Sequence, residues 1–351
     1  MCNIAGYIGK RQAAPILIEM MRRQEGYGGG YYTGMTVCDG ESLRTDKVVG
    51  DLEHLLAETE CASYVGNVGM IHSRSKSGGG APWAHPFVSR DGRTSLVANG
   101  IGGRFVTPER GKNQIEIANK LDKLGYVFGS RTVGEVKGYP TLADGTSVHS
   151  SDIYAQNAAY YTDCGSSPAD ALARSLSDTP AEVVLLSMQK EHPESIYAAR
   201  ISFPMTVGIT DDGDTYLATT ALAFPDDVNF KSITLLDPLK AYEVRAGEII
   251  DSGARVDIGE CEVAELNEAM ISEAMTLALK ALEAAVEPMT VDGLIEAISP
   301  VFPEGKIAQG APLAYEVMYR LNKAGRLNVV RVKDEGPLEG YATDNFRLLL
   351  K

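Results

Sequence analysis

Short segments with the two-residue period of β-strands dominate residues 182–245 of the chain. Strands are predicted at 182–188, 196–201, 206–210, 216–219, 232–236 and 241–245. Turn residues such as Asp211-Asp212-Gly213-Asp214 separate them at hairpin spacing. Apolar sheets of this kind, packed face to face, would enclose one large core.

The N-terminal part, residues 4–72, contains both helical and strand patterns. Residues 13–23 have the spacing of a helix with one buried face, and residues 4–8, 31–38 and 68–72 read as strands. Between the helix and the second strand lies the glycine-rich segment Gly26-Tyr27-Gly28-Gly29-Gly30. It does not predict a phosphate-binding loop, because no Lys-Ser/Thr pair follows and no helix opens there.

Residues 256–351 change to a mainly helical pattern. Helices are predicted at 263–286, 290–298 and 312–324, followed by strands at 327–332 and 341–350. Three helices and a β-hairpin form a winged-helix-like order, whose usual partner is DNA. Residues 262–351 hold nine Lys/Arg against fourteen Asp/Glu, so dimerisation or docking to a protein is favoured over DNA binding.

Composition narrows the class of protein. With 351 residues and 44% hydrophobic content, the chain can bury a large core in two or three domains. No apolar run reaches the ~18 residues of a membrane span, and early charged residues exclude a signal peptide, so a cytoplasmic location without membrane partners is predicted. The net charge of -14 makes nucleic acid an improbable partner. Five irregularly spaced cysteines indicate neither disulfides nor a zinc site, and no cofactor is predicted.

The candidate chemistry begins at Cys2. If the initiator Met1 is removed, the thiol lies beside a free α-amino group, whose pKa of ~7.7 to 8.0 suits it to accept the thiol proton. The strand that follows would hold this nucleophile in place. From its position alone, Cys2 is equally compatible with a small buried residue near a terminus.

A second candidate element is Asn99-Gly100, at the end of a predicted strand. Asn-Gly commonly forms a tight hairpin turn. Beside a nucleophile, however, the Asn amide and the Gly backbone N–H would together donate hydrogen bonds to an oxyanion.

Several motifs occur in a recognisable order: Cys2, Gly6-Tyr7-Ile8-Gly9, Ile71-His72-Ser73-Arg74, Ala84-His85-Pro86, Asn99-Gly100 and, later, residues 192–200 and 204–209. In this order the chain resembles the glutaminase domain of class II glutamine amidotransferases, most of all that of the glucosamine-fructose-6-phosphate aminotransferases. The resemblance covers roughly residues 2–250.

The resemblance implies an α+β fold, with the four-layer αββα sandwich of N-terminal nucleophile (Ntn) hydrolases in residues 1–255. It does not explain residues 256–351, for which the order of helices and strands predicts the winged-helix-like extension. It implies that Cys2 attacks a glutamine carboxamide, that Asn99 and Gly100 bind the oxyanion and that Arg74 binds the α-carboxylate.

The other predicted substrate-binding residues are Ser77, His85, Ser150 and Asp152. His85, before Pro86, is interpreted as structural rather than as a proton donor.

The departures from the family are concentrated in the substrate pocket. Ser75-Lys76-Ser77-Gly78-Gly79 follows Arg74 where the family has Trp-Ala-Thr-His-Gly. Plain alignment puts Ser150 at the position of the family's aspartate for the substrate amino group, and Asp152 could serve only in a different register. The amide-cleaving residues are thus present, whereas the glutamine pocket is altered.

The leading hypothesis is a glutaminase-type amidohydrolase that releases ammonia from glutamine or a related small amide, for a synthase subunit on a separate chain. One alternative is a catalytically silent ligand sensor whose tail binds a partner or DNA. Another is an amidase with a different acyl donor. A homo-oligomer is compatible with each.

Overall fold

The computed structural model describes residues 2–76, 79–336 and 338–351. Ser77, one of the predicted substrate-binding residues, lies outside them.

The secondary structure follows this chain order: β1 Asn3–Ile8, α1 Ala13–Gln24, β2 Tyr32–Cys38, β3 Leu43–Val49, α2 Leu52–Glu58, β4 Val68–Arg74, β5 Phe87–Val88, β6 Thr94–Ile101, α3 Pro108–Lys123, β7 Thr132–Val133, β8 Thr146–Ser147, α4 Ser150–Asp163, α5 Pro168–Asp178, β9 Glu182–Gln189, β10 Ile196–Arg200, β11 Thr206–Thr210, β12 Thr215–Ala218, β13 Phe230–Leu235, β14 Lys240–Arg245, β15 Glu248–Arg255, α6 Glu268–Ala284, α7 Val291–Ile298, α8 Gly310–Lys323, β16 Leu327–Glu335 and β17 Ala342–Leu350.

Most of these strands belong to two antiparallel sheets. The first has the order β13-β11-β12-β1-β4-β2-β3, and the second has the order β15-β14-β10-β9-β6-β5. Strand β1 is central in the first sheet, where Ala5 lies opposite Ala218 of β12 on one side and Ile71 of β4 on the other. The strand that follows Cys2 is therefore held by neighbours on both edges.

The two sheets pack against each other through one apolar core. Ile4 and Ile8 of β1 share this core with Val97 of β6, Leu186 of β9 and Val244 of β14. Because side chains alternate between the faces of a strand, these residues occupy the face of β1 that meets the second sheet.

The opposite face of each sheet is covered by helices. On the first sheet, Tyr7 of β1 shares a core with Leu17 and Met20 of α1. On the second, Leu185 of β9 shares a core with Leu172 and other residues of α4 and α5. Both faces of β1 are therefore apolar and buried, and the mixed α+β class predicted from the sequence is confirmed.

The predicted strands between residues 182 and 245 correspond to β9–β14, with end points shifted by a few residues. The first C-terminal helix starts at Glu268 rather than at residue 263, because the Asn267 side chain accepts a hydrogen bond from the Met270 N–H (3.0 Å) and caps it. The preceding Val263 instead forms a parallel β-bridge with Ile307.

Helices α6, α7 and α8 and the β16–β17 hairpin share a separate apolar core that includes Leu294, Leu313 and Leu348. Tyr27, from the glycine-rich segment, packs against this core and meets the Phe346 ring edge to face, with centroids 4.9 Å apart. The C-terminal elements therefore contact the N-terminal part directly. Among the residues described, no helix is long and apolar enough to cross a membrane.

The glycine-rich segment is shaped by this contact. A Cβ atom at Gly26 would collide with the ring of Phe346, and one at Gly30 would collide with Thr343 Oγ1. Gly30 also has a φ of +82°, which favours glycine. The glycines thus permit close approach of the β16–β17 hairpin.

We expect Gly26→Ala to lower the free energy of unfolding by ~1–3 kcal/mol, because the buried Phe346 ring must move. Gly129→Ala is the matched control, since a Cβ there meets no atom within 4 Å. Its effect should stay within ~0.5 kcal/mol. Urea denaturation of both variants measures the difference, and equal stabilities would contradict the proposed collision.

Candidate active site

A cavity of about 640 Å³ opens beside the N-terminus of β1. Five of the residues predicted from the sequence line it: Cys2, Arg74, His85, Gly100 and Ser150. The structure thus brings together residues from β1, β4, β6, the loop before β5 and the start of α4.

Cys2 and Asn99 form a reciprocal pair, although they are 97 positions apart. The Cys2 backbone N–H donates to Asn99 Oδ1 (3.1 Å), and Asn99 Nδ2 donates to the Cys2 carbonyl oxygen (2.8 Å). Asn99 is 1% exposed, so its side chain is fixed by packing as well. The pair holds the half-buried Cys2 main chain at the cavity.

The Cys2 thiol lies next to Ser75, the first residue after β4. The Ser75 backbone N–H approaches Sγ at 3.5 Å, and Ser75 Oγ lies 3.7 Å from it. Both polar groups of Ser75 thus face the Cys2 sulfur. This contact is compatible with nucleophilic chemistry at Sγ.

Gly100 follows Asn99 on the cavity wall. A Cβ atom at this position would collide with the Glu182 carbonyl oxygen of the neighbouring strand β9. Glycine therefore lets β6 approach β9 closely at the point where β6 reaches the cavity.

Arg74 is almost completely buried, with 2% of its surface exposed, yet it lines the cavity. Its guanidinium donates to the Trp83 carbonyl oxygen (3.0 Å) and to the Tyr139 hydroxyl (3.2 Å). It also lies 4.6 Å from the centre of the Tyr32 ring. These contacts fix a cation at the wall of the cavity.

Three buried histidines surround this cation. His85 lies between His72 and His149, with ring centroids 4.0 Å and 5.3 Å away. Burial, together with the positive charge of Arg74, lowers the pKa of His72 to about 3. Burial and the other two histidines likewise lower the pKa of His85 well below its usual range, and burial and Arg74 lower that of His149. All three imidazoles are therefore neutral at pH 7.

Asp152 is not placed in the cavity. It is fully buried in the first turn of α4, where one carboxylate oxygen accepts hydrogen bonds from the backbone N–H and the hydroxyl of Ser130 (both 2.8 Å). The other oxygen accepts from Gln156 Nε2 (3.0 Å). Its side chain holds Ser130 in the loop before α4, and Asp152 is not among the residues that line the cavity. Ser150, two residues earlier, does line the cavity.

Tyr139 and Arg110 are among the lining residues that were not predicted from the sequence. Tyr139 comes from a connection without regular structure, and Arg110 comes from the first turn of α3. Arg110 donates to the Pro180 carbonyl oxygen (2.5 Å) and to the Tyr154 hydroxyl (3.3 Å). Neither residue belongs to a motif with a chemical signature, so only the tertiary contacts identify them.

Glu25, also missed, supports the strand that carries Arg74. Its carboxyl group accepts hydrogen bonds from Ser73 Oγ (2.7 Å) and from the Leu52 N–H (2.9 Å). Burial and the nearby Asp51 charge raise its pKa from 4.5 to about 8. Among the residues described, no cluster of three or more His, Cys, Asp or Glu side chains has an arrangement suited to a metal ion.

Known proteins are similar to this chain in sequence and in fold. No family model matches the sequence. The glutamine–fructose-6-phosphate aminotransferase of Bacteroides thetaiotaomicron is 32% identical over 225 residues, which cover 63% of this chain and 32% of that protein. The enzyme of the same name from Chlorobaculum tepidum is 29% identical over 266 residues, covering 73% of this chain and 39% of its own. The chain therefore spans about a third of the length of these relatives.

Among solved structures, the glutamine phosphoribosylpyrophosphate amidotransferase of B. subtilis, complexed with ADP and GMP, superposes with a TM-score of 0.56. It shares 16% sequence identity and covers 94% of this chain and 66% of its own, a likeness in fold alone.

These similarities support the class II glutamine amidotransferase family: the sequence matches are to aminotransferases named for glutamine, and the structural match is a likeness in fold.

The raised pKa of Glu25 predicts a specific pH dependence of stability. Between the unfolded value of 4.5 and about 8, the native state binds more protons than the unfolded state. The stabilisation by the neutral carboxyl is present below this window and is lost as the pH rises through it, by at most ~1.4 kcal/mol per pH unit.

Glu25→Gln should remove this component, so that the wild type loses more stability than the variant between pH 5.5 and 8.5. Denaturant unfolding at both pH values measures it. Glu53→Gln on α2, whose side chain is 62% exposed, is the control and should follow the wild type. If Glu25→Gln and the wild type lost the same stability between the two pH values, the claim that Glu25 is buried as a neutral carboxyl would be wrong.

Proposed function

We propose that this chain hydrolyses the side-chain carboxamide of glutamine-type donors, with Cys2 as the nucleophile. The observation that carries the proposal is the pairing of Cys2 with Asn99, at 2.8 Å and 3.1 Å, beside a cavity that also contains the Arg74 cation. A thiol, an amide and a cation near one cavity support this proposal, because acyl transfer from an amide requires a nucleophile, hydrogen-bond donors and a group that binds the substrate.

In the proposed reaction, removal of Met1 frees the α-amino group of Cys2, which accepts the thiol proton. Sγ attacks the carboxamide carbon, and the negative charge passes to the amide oxygen. The second N–H of Asn99 Nδ2 and the Gly100 backbone N–H stabilise this oxyanion. The C–N bond then breaks, and the proton held by the α-amino group leaves with ammonia.

The second half of the reaction is hydrolysis. The thioester between Cys2 and the acyl group is attacked by water, the α-amino group again accepting the proton. The C–S bond breaks, which releases a carboxylate and restores the thiol. Arg74, held by Trp83 and Tyr139, binds the carboxylate end of the donor and fixes its direction.

We further infer that residues 1–255 form the four-layer αββα sandwich of Ntn hydrolases and that residues 256–351 form a winged-helix-like unit. The helix, sheet, sheet, helix order of the cores supports the first assignment. The order of three helices and a hairpin supports the second. The cytoplasm is the proposed location.

The ammonia is proposed to pass to a synthase on a separate chain. The printed names of the matched relatives support an acceptor for the ammonia, because they are aminotransferases. The C-terminal unit is the proposed docking element for that partner or for a second copy.

A ligand-sensing role without catalysis is the second candidate. It is favoured by the contact between Tyr27 and Phe346 of the C-terminal hairpin, because the glycine-rich segment of Tyr27 also reaches Ser73, next to Arg74, through the Gly30 N–H. A ligand that moved the glycine-rich segment would also move the hairpin, because the Tyr27 and Phe346 rings are in contact.

The nucleophile is tested with a glutamine-analogue diazo-ketone and intact-mass measurement. We expect the purified protein to lack Met1 and to gain one adduct, because the activated Cys2 thiolate attacks the electrophile. Cys2→Ala should gain none, whereas Cys164→Ala, which removes an exposed thiol, should be labelled like the wild type. Retention of Met1, or labelling that persists in Cys2→Ala, would contradict the proposed nucleophile.

The oxyanion role of Asn99 is tested by kinetics. Asn99→Ala should lower kcat for ammonia release by a factor of ~10² to 10³ with a smaller change in KM, because the lost hydrogen bond acts mainly in the transition state. Asn345→Ala removes a half-buried amide that donates to Asp334 on the C-terminal hairpin, and it should leave both constants unchanged. A pure KM effect in Asn99→Ala would assign Asn99 to substrate binding instead.

A further inference from the structure

The charges around the cavity have one sign. Its charged lining residues, within the part of the chain that the structure describes, are Arg74 and Arg110, and no carboxylate lines it. Ser77 and Gly78, outside the described ranges, have no carboxyl group either. The imidazoles of His85 and His149, which also line the cavity, are neutral.

Asp152, the acid predicted from the sequence for the substrate ammonium, already has partners within the protein. Both carboxylate oxygens of Asp152 accept hydrogen bonds within the protein, from Ser130 and from Gln156, and the side chain is fully buried. A substrate ammonium group would have to displace these bonds to reach it. That exchange would leave the Ser130 N–H without a partner in the interior.

The start of α4 adds to the positive potential. Ser150 and Ser151, the first two residues of this 14-residue helix, line the cavity. The N-terminal end of a helix carries partial positive charge, which favours anions and disfavours cations. Together with the two guanidinium groups, it makes the cavity suited to a carboxylate and unsuited to an ammonium group.

The cavity also has more apolar surface and more room than free glutamine needs. Its volume of about 640 Å³ is within the ~300–1,000 Å³ of pockets that enclose drug-sized ligands. Ile101 and Val106 on its wall are 60% and 73% exposed, although both are large apolar side chains. An apolar group attached to the donor would cover them.

We propose that the donor is a glutamine whose α-nitrogen carries no charge, an N-acylated glutamine with a free α-carboxylate. This proposal rests on the proposed function and narrows its substrate class. The α-carboxylate lies toward Arg74, the side-chain carboxamide reaches Cys2, and the acyl group lies along Ile101 and Val106. Water and the amide are converted to ammonia and N-acylglutamate, with no other reactant.

The test compares two donors on the full-length protein. Ammonia release is measured with N-acetylglutamine and with glutamine, over a range of concentrations. We expect kcat/KM for N-acetylglutamine to be at least about tenfold higher, because an unpaired ammonium beside guanidinium groups disfavours binding.

A variant tests the electrostatic reason. Ser150→Asp introduces a carboxylate at the cavity wall and should shift the ratio of the two kcat/KM values at least about tenfold toward glutamine, since it supplies a partner for the ammonium. Ser150→Asn, of the same size without the charge, should keep the wild-type ratio.

Each outcome bears on the proposal separately from the proposed function. A wild-type preference for glutamine would overturn the N-acylated donor while leaving the Cys2 chemistry in place. An unchanged ratio in a folded Ser150→Asp would overturn the charge argument. Ammonia release from neither donor, with Cys2 unlabelled by the diazo-ketone, would overturn both proposals.

Discussion

The burial of strand β1 on both faces is the constraint on which the site depends. Ile4 and Ile8 pack toward the second sheet, while Ala5 and Tyr7 pack toward α1. With β12 and β4 paired along its edges, β1 has no freedom to move without opening two cores. The residue that precedes this strand, Cys2, is therefore held at a defined position even though it lies near a chain end, where disorder is usual.

The second sheet contributes to the site through strand β6. Strand β6 carries Asn99 to the end of the inter-sheet core, and the Asn99 amide binds the Cys2 main chain in both directions. The nucleophile and the amide that we assign to the oxyanion are thus fixed to each other by hydrogen bonds. Their geometry is set before a substrate enters, which is the condition for electrostatic catalysis to be efficient.

The charge distribution around this frame is unusual for a site that binds an amino acid. Buried histidines surround Arg74 but stay neutral, because burial next to a guanidinium disfavours a further positive charge. The one buried acid on α4, Asp152, is used to hold Ser130. The groups left on the cavity wall are cations, the start of a helix and apolar side chains, and these support the proposed donor, an anion with an apolar attachment.

The sequence by itself determined the parts that depend on local order. The strand pattern of residues 182–245, the C-terminal helices and hairpin, the N-terminal Cys2 and the Asn99-Gly100 pair all follow from period, turn chemistry and motif spacing. Tertiary structure decided the rest. Whether Asp152 or Ser150 faces the cavity, that Arg110 and Tyr139 join it, and that Gly26 admits Phe346 depend on which distant segments pack together. The sequence pattern does not predict such contacts, because they join segments that are distant in the chain. They depend on how the two sheets pack, not on neighbouring residues.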